Sequence, residues 1–584
     1  MRLRAFHVAT LALMAAAGLV SMGVQSAVAA PAVPAAPGAA ARAAGPVVSS
    51  FSPASGRIGA KVTLTGSGFT GATKVRFGAA AGHFTVKSDT KITATVPAAA
   101  STGPITVTAP GGIALSAASF TVVTPGIVLS PAGGPPTGSV TVSGTGFGAF
   151  EAVDLYFDTT DEALVSTNGM GSFSGAAVSI PASAVPGAHF VTAAGRHSGF
   201  AAQATFTIST NWPQFHDSAK HAGVNPFENV LSPATVPALD VAWRFSAIAD
   251  GTSPVVANGV VYVGAPSGEV FALDPVTGAQ IWDNGAGDDM ESAPAVANGA
   301  VYVGVGRSVA AFNAATGAKL WENGNVSRVT TSSPTVAGGV VYVGTTSTTY
   351  ALNAATWAVL WTFPAACDSS PAVADGVVYV GSDNGNLYAL NTATGTQIWK
   401  DTLGIGLSSP AIAGGVVYIG SGNGNVYALN AATGTQIWNF PTGGAVQSSP
   451  AVAGGLVYVG SEDGNLYALD AASGTTRWGQ ALGGPADSSP AVANGVVYIG
   501  ETNGQVSAFD AAGGASLWSY DTRSAPGFMD NSGSPAIANG MAYFSSGLNQ
   551  LYAFGLPGNT AVRRPVPGRL HRDYALRPSH RPGS

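Results

Sequence analysis

Between residues 252 and 554 short apolar runs alternate with turn residues so regularly that one unit, best seen over 369–399, recurs eight times. In that copy, SSPAVADGVVYVGSDNGNLYALNTATGTQIW, apolar and polar positions alternate over 371–374, 377–381, 386–390 and 396–399. The pattern predicts four short strands. Asn384-Gly385 predicts a two-residue hairpin needing positive φ, and Thr394-Gly395 a second tight reversal. Alternation at Val378, Val380, Leu387 and Ala389 sets small and β-branched side chains between neighbouring copies. Pro371 at the head of the first strand fits an innermost strand whose channel-side edge has no partner.

The same Pro falls at 254, 294, 334, 371, 410, 450, 490 and 535, mostly 37 to 40 residues apart, the length of one propeller blade. A Trp recurs with it, as Trp243, Trp282, Trp321, Trp361, Trp399, Trp438, Trp478 and Trp518. The two series are offset: Trp243 precedes the first Pro, and no Trp follows the last triplet of strands, which ends near Phe554. A ring resolves the offset if 241–245 supplies the outer strand of the final blade, leaving no open end. The expectation is an all-β chain ending in an eight-bladed β-propeller over 211–556.

Upstream, 46–123 also alternates, in runs such as Lys61-Val-Thr-Leu-Thr65, with Gly and Pro between them, as a half-buried antiparallel sandwich requires. Phe51-Ser-Pro-Ala-Ser-Gly56, Val62-Thr-Leu-Thr-Gly66-Ser-Gly-Phe69 and Val75-Arg-Phe77-Gly78 resemble the IPT/TIG immunoglobulin-like family. A looser copy of the order, Val140-Thr-Val-Ser-Gly144-Thr-Gly-Phe147 and Val153-Asp-Leu-Tyr-Phe157, makes 126–208 a second, divergent Ig-like domain. Such modules serve as spacers, dimerisation surfaces or ligand binders, and spacer is the expectation for this pair. Residues 1–30 read as a signal peptide: Arg2 and Arg4, an apolar run over 8–20, then Ala27-Val28-Ala29. Residues 31–45 form a Pro/Ala-rich linker, and 557–584 an Arg/Pro-rich disordered tail. The tail needs no function as a solvated end; contact with anionic wall polymers is the alternative.

The segment 211–228, NWPQFHDSAKHAGVNPFE, breaks the Ig pattern and resembles the start of secreted PQQ-like propellers, with Trp212 and Phe215 expected to pack on the repeats as a cap. Ala389-x-Asn391-x-x-Thr394-Gly395-x-x-x-Trp399 resembles the tryptophan-docking motif of quinoprotein-type propellers, and recurs over 272–282, 428–438 and 468–478. The resemblance implies a structural wedge for each Trp. It also implies two kinds of relative: alcohol and glucose dehydrogenases that use pyrroloquinoline quinone (PQQ), and non-enzymatic envelope scaffolds resembling an outer-membrane assembly lipoprotein.

Composition narrows the choice. Charged residues are only 9% of the 584, and Gly is 78. Six Arg against one Asp in the last stretch and two Arg in the leader leave −13 on the body of a chain whose net charge is −6, which argues against a nucleic-acid partner. No segment after the leader is apolar and long enough for a membrane span. Cys367 is the only cysteine, which removes an intrachain disulfide, a CxxCH haem, a Cys-based zinc site and a lipid anchor after the leader. It also removes the vicinal cysteine pair that the resemblance associates with PQQ enzymes. Between 229 and 555 there is no histidine to act as base or metal ligand. No catalytic, cofactor-binding or metal position carries over from the quinoprotein enzymes.

Candidate positions lie where the copies differ. Turns on one face repeat monotonously, whereas the opposite connections hold Asp288, Asp289, Glu291, Arg307, Arg328, Asp368, Asp487, Arg523 and Asp530. In so charge-poor a chain this clustering suggests a ligand face, against the plainer view of solvated loops. Asp288-Asp289-x-Glu291 has oxygen ligands for Ca²⁺, or is an acidic surface loop. The Ser461–Gly464 run is a hairpin turn rather than a calcium loop. Trp357 replaces a turn Gly, open to sugar stacking or to local packing; Cys367 is expected to be a small, semi-buried thiol, with pairing between molecules as the alternative. The reading is a secreted or cell-surface, non-catalytic binding or scaffolding protein that recognises envelope polysaccharide or a protein and uses no cofactor. The alternative is a PQQ/Ca²⁺-dependent oxidoreductase.

Overall fold

The structure is a computed structural model that describes residues 45–246, 252–285, 287, 289–329, 331–523, 533–546 and 550–558. The leader, nearly all of the linker and of the Arg-rich tail, Asp288 and Asp530 lie outside the described residues. Contacts divide the chain into two units, Met1–Val123 and Thr124–Ser584.

The first unit is a two-sheet sandwich. One sheet orders Val47–Ser52, Lys61–Ser67, Lys91–Thr95 and Phe84–Ser88; the other orders Ser55–Arg57, Gly112–Val123, Gly103–Ala109, Lys74–Phe77 and Ala80–Gly82. The period-two pattern faces Val62, Leu64, Ile92, Ala94, Ile105 and Val107 inward, where Phe77 meets Phe120 edge-on at 5.2 Å.

The second unit begins with another sandwich. Gly126–Ser130, Ser139–Thr145 and Phe173–Ser179 face a five-stranded sheet built on Ala201–Ile208, Gly187–Gly195 and Ala152–Phe157. Glu151 is buried at its end and accepts Ser198 N–H and Oγ–H at 2.7 Å each, together with Gly148 N–H. Burial alone raises a carboxyl's pKa, but these donors outweigh it and hold Glu151 below its ordinary value.

The repeats fold as the alternation requires. In the best copy Ala372–Ala374, Val377–Gly381, Asn386–Asn391 and Gln397–Thr402 pair antiparallel in sequence order. The described residues contain six sheets of this kind and two variants of it, one with Val224–Asn225 added as a parallel fifth strand and one whose outer strand comes from the start of the repeats. Their innermost strands follow one another round a ring, from Val255–Ala257 through to Ala536–Ala538, which returns beside the first. Asp240–Ser246 pairs antiparallel with Gln550–Gly555, so the start of the repeats supplies the outer strand of the last sheet. The hairpin at Asn384 differs in detail from the two-residue expectation. Ser382 N–H donates to Asn386 O, Gly385 N–H donates to Ser382 O, and only Gly385 has positive φ. This is the three-residue hairpin with glycine in the left-handed position.

Neighbouring sheets are locked by one repeated device. The indole Nε1–H of Trp399 donates to Ala431 O at 2.9 Å, and Tyr379 Oη–H reaches the same carbonyl at 3.0 Å. The two rings tilt together at 5.9 Å. All eight Trp residues donate this way to a carbonyl of the following sheet; Trp518 closes the ring on Leu239 O at 3.1 Å. The ring of Trp361 lies on the turn of the next sheet, where a Cβ on Gly395 would stand 2.6 Å from it, and φ there is +69°. Glycine is required at that point on both counts.

Candidate functional site

An innermost propeller strand has one edge paired outward and one edge facing the central channel. Those inward N–H groups need acceptors. The lead-in segment after the second sandwich supplies them by running round the channel. Val256 N–H donates to Trp212 O, Val296 N–H to Pro213 O and Val336 N–H to the Gln214 side chain, at 2.8, 2.7 and 3.0 Å. Val373, Ile412, Val452 and Val492 donate to the carbonyls of Ala219, Lys220, Ala222 and Gly223 at 2.6 to 2.9 Å. In the last sheet Asn225 Nδ2–H donates to Ile537 O at 2.8 Å. One stretch of chain thus touches every blade. The strand-heading prolines were expected to border an unpartnered edge; the edge is partnered by this segment, and each Pro sits just before the bonded stretch. The expected cap on the repeats is an internal plug, with Trp212 1% exposed. Gly223 fits only as glycine, because φ is +66° and a Cβ would lie 2.7 Å from that of Ala451.

The plug turns sharply at His216, Asp217 and His221, all with positive φ. It brings two histidines into the middle of a propeller whose own sequence has none. The exclusion of histidine over 229–555 holds for the repeats but missed the residues threaded through them. His216 stacks on Phe215 at 4.7 Å, and His221 Nε2 lies 2.9 Å from Thr335 Oγ1. Burial pulls the pKa of His216 down to about 4 and that of His221 down to about 3; burial lifts that of Asp217 to about 8. His216 Nε2 and His221 Nδ1 have no hydrogen-bond partner among the described residues. Both imidazoles are neutral packing elements behind the site.

In front of the plug, on the face of the variable connections, lies an open pocket of about 380 Å³. Phe215 from the plug lines it, with Glu291, Asp368 and Asp487 from three connections, and Thr331, Leu407 and Gln447 between them. Its collar is a belt of serines, each just before the strand-heading Pro. Ser333 N–H donates to Ser370 Oγ, Ser370 N–H to Ser409 Oγ and Ser409 N–H to Ser449 Oγ, at 2.8 to 2.9 Å. The chain of bonds continues through Ser489 and Ser534 to Ser253. It also begins one step earlier, where Ala293 N–H donates to Ser333 Oγ at 3.0 Å. Ala293 has no hydroxyl to receive the N–H of Ser253, so the belt is open at one place.

Of the nine candidate ligand-face residues, Glu291, Asp368 and Asp487 come together in this pocket. Asp289 and Arg328 instead form an exposed pair at 3.4 Å, beside the exposed Arg307. Arg523 is turned away, held bidentate by Asp521 at 2.7 and 2.8 Å, and this contact pulls the Asp521 pKa down to about 2. Asp288 and Asp530 lie outside the described residues. Trp357 is half exposed on the opposite face, in the left-handed region at φ +54°. Cys367 is fully rather than partly buried, its pKa lifted to about 12 by burial, with Sγ 3.0 Å from Ser369 O. Such a thiol is inert. In the Ser461–Gly464 turn, Asp463 accepts Gly443 N–H at 2.7 Å and Tyr467 Oη–H at 2.8 Å, so the turn's carboxylate is already engaged by the protein. Among the described residues no group of three or more His, Cys, Asp or Glu could hold a metal ion. The sequence reasoning missed the serine belt and Gln447. The belt's signal was present, since Ser precedes the Pro in seven of the eight copies.

The family described as outer membrane protein assembly factor BamB matches four overlapping stretches, 234–350, 305–409, 346–442 and 383–572, and the IPT/TIG domain family matches 46–122. No curated protein matches the chain. Among solved structures, a europium-containing methanol dehydrogenase superposes with a TM-score of 0.52 at 15% identity, over 59% of this chain and 98% of that one. The quinohemoprotein alcohol dehydrogenase of Comamonas testosteroni gives 0.52 at 17%, over 62% and 82%. BamB from Moraxella catarrhalis gives 0.48 at 17%, over 54% and 99%. Identities this low show a shared fold alone.

Proposed function

The chain belongs to the PQQ-like repeat family described as outer membrane protein assembly factor BamB, with an IPT/TIG domain ahead of the repeats, and from that premise we propose a non-catalytic binding protein of the envelope or extracellular space. Its ligand site is the pocket at the plugged mouth of the channel, and its ligand is envelope polysaccharide. The observation that carries this is the lining: an aromatic ring, three carboxylates, a collar of hydroxyls and no Lys or Arg among the described lining residues. Carboxylates and hydroxyls suit the many O–H donors of a sugar, and Phe215 suits its apolar face. A protein partner is the second reading, favoured by the assembly-factor description of the family.

The oxidoreductase alternative is disfavoured by the same lining. PQQ is a planar quinone bearing several carboxylates, and no Lys or Arg among the described lining residues offsets Glu291, Asp368 and Asp487; nor does any group of three or more carboxylates among the described residues converge to hold the Ca²⁺ that would bridge them to it. The one thiol is buried and cannot form a vicinal pair. The residues present do not fit the cofactor. No helix among the described residues is long and apolar enough to cross a membrane. A thermal-shift screen of the mature chain tests the proposal, since a ligand specific for the folded state raises Tm. Soluble wall glycans are expected to raise it and PQQ with Ca²⁺ to leave it unchanged. A shift with PQQ and Ca²⁺, together with dye reduction in the presence of an alcohol or sugar, would overturn it.

A further inference from the structure

The serine belt is broken at one point, and the break lies inside the pocket. Seven N–H groups of the ring donate to a serine Oγ on the following sheet, all at 2.8 to 3.0 Å. The eighth, that of Ser253, is aimed by the same repeat at position 293, which is Ala. No described residue accepts a hydrogen bond from it. Ser253, Ala293 and Glu291 all line the pocket, and Glu291 lies two residues before the missing hydroxyl.

We propose that the gap at Ala293 is a subsite for one hydroxyl group of a bound sugar, which accepts from Ser253 N–H and donates to the Glu291 carboxylate. The proposal rests on the pocket being the ligand site and names what the ligand must present there. The chemistry selects a hydroxyl because the same pocket wall offers one donor, Ser253 N–H, and one acceptor, the Glu291 carboxylate. A hydroxyl both accepts and donates. A lysine ammonium or arginine guanidinium has only donors, so it would pair with Glu291 and leave Ser253 N–H unsatisfied at the cost of a lost hydrogen bond. A carboxylate or phosphate has the converse fault and meets Glu291 as a like charge. The sugar hydroxyl thus takes the place that a serine hydroxyl fills elsewhere in the ring, and Phe215, on the plug side of the pocket, offers the remainder of the sugar an apolar surface.

Ala293→Ser tests this directly, because serine already occupies the equivalent place in the seven other copies. The added hydroxyl closes the belt and fills the subsite. Calorimetric titration of the mature chain with maltotetraose, chitotetraose and xylotetraose is compared with Nα-acetyl-arginine methylamide as a probe for a protein side chain. At least one oligosaccharide is expected to bind the natural protein. Ala293→Ser is expected to weaken that binding about tenfold or more, with Tm unchanged or raised, and Glu291→Gln about tenfold. If Ala293→Ser binds the oligosaccharide as tightly as the natural protein, the subsite is overturned while the pocket as a saccharide site stands. If no oligosaccharide binds, or only the arginine probe does, both the subsite and the saccharide reading fall.

Discussion

The ring is held together on its outside by a device used eight times and on its inside by a segment used once. Each Trp bridges only two sheets, through one carbonyl and one turn, whereas residues 212–225 bond to the innermost strand of every sheet. Repetition suits a job that is the same at each blade boundary. A channel edge differs in its distance from a threaded strand at each blade, so the partner must be irregular. The contrast also separates the repeated framework from the candidate site: the pocket is bounded by the irregular plug and by the connections in which the copies differ.

The strongest way to break the contrast is to remove the plug. Replacing 211–225 by a Gly/Ser linker removes the buried side chains, Trp212 first among them, that fix the plug's carbonyls against seven inner-edge N–H groups; with each bond worth about 0.5–1.5 kcal/mol net and the Trp burial lost as well, the total is comparable to the whole stability of a domain. Loss of a cooperative melt is expected by circular dichroism. Trp399→Ala removes one wedge of eight and is expected to cost about 3–5 kcal/mol in denaturant titration, with the fold retained.

Titration sharpens the comparison next, because the plug holds the buried histidines. Their folded pKa values, about 4 for His216 and about 3 for His221, lie below the ordinary 6.5. The unfolded chain therefore binds protons that the folded one rejects. Their contribution is fully present above about pH 6.5 and is lost as pH falls toward the folded values, by up to about 1.4 kcal/mol per unit for each. The half-buried Asp217 acts in the opposite sense: its pKa is raised from 3.8 to about 8, so its contribution is lost as pH rises across that window. Tm measured against pH is expected to peak near 6.5 on account of these groups. His221→Asn, which tolerates the left-handed backbone, should flatten the acid limb.

The smallest effect belongs to the one repeat that departs from the rule. Trp357 holds a left-handed turn position that is Gly in most other copies, so Trp357→Gly is expected to stabilise by about 1 kcal/mol in chemical denaturation.

The ring was legible in the sequence because each blade is built locally. Period-two alternation, the turn glycines and the recurring Trp are short-range signals, and the offset between Pro and Trp even revealed the pairing of 240–246 with 550–555. The plug was not legible as such. Its bonds link residue 212 to 256 and residue 223 to 492, and no periodicity records contacts of that kind. The candidate face was half legible for a similar reason. Charge in the variable connections pointed to Glu291, Asp368 and Asp487, but it also picked Arg523, which only a local partner, Asp521, turns away. The serine belt escaped because attention to departures from the repeat passes over a regular serine; its informative member is the alanine that breaks the series.

The central claim is that the channel is sealed by the lead-in segment, so that the open pocket on the variable face has a floor. Hydrogen–deuterium exchange of the protein measures this directly, through peptides covering 211–225 and the inner strands around Val296, Val373 and Val452. The account predicts that both sets exchange only with global unfolding, as bonded interior strands do. Rapid exchange of 211–225, with the inner-strand amides unprotected while the outer strands stay closed, would contradict it.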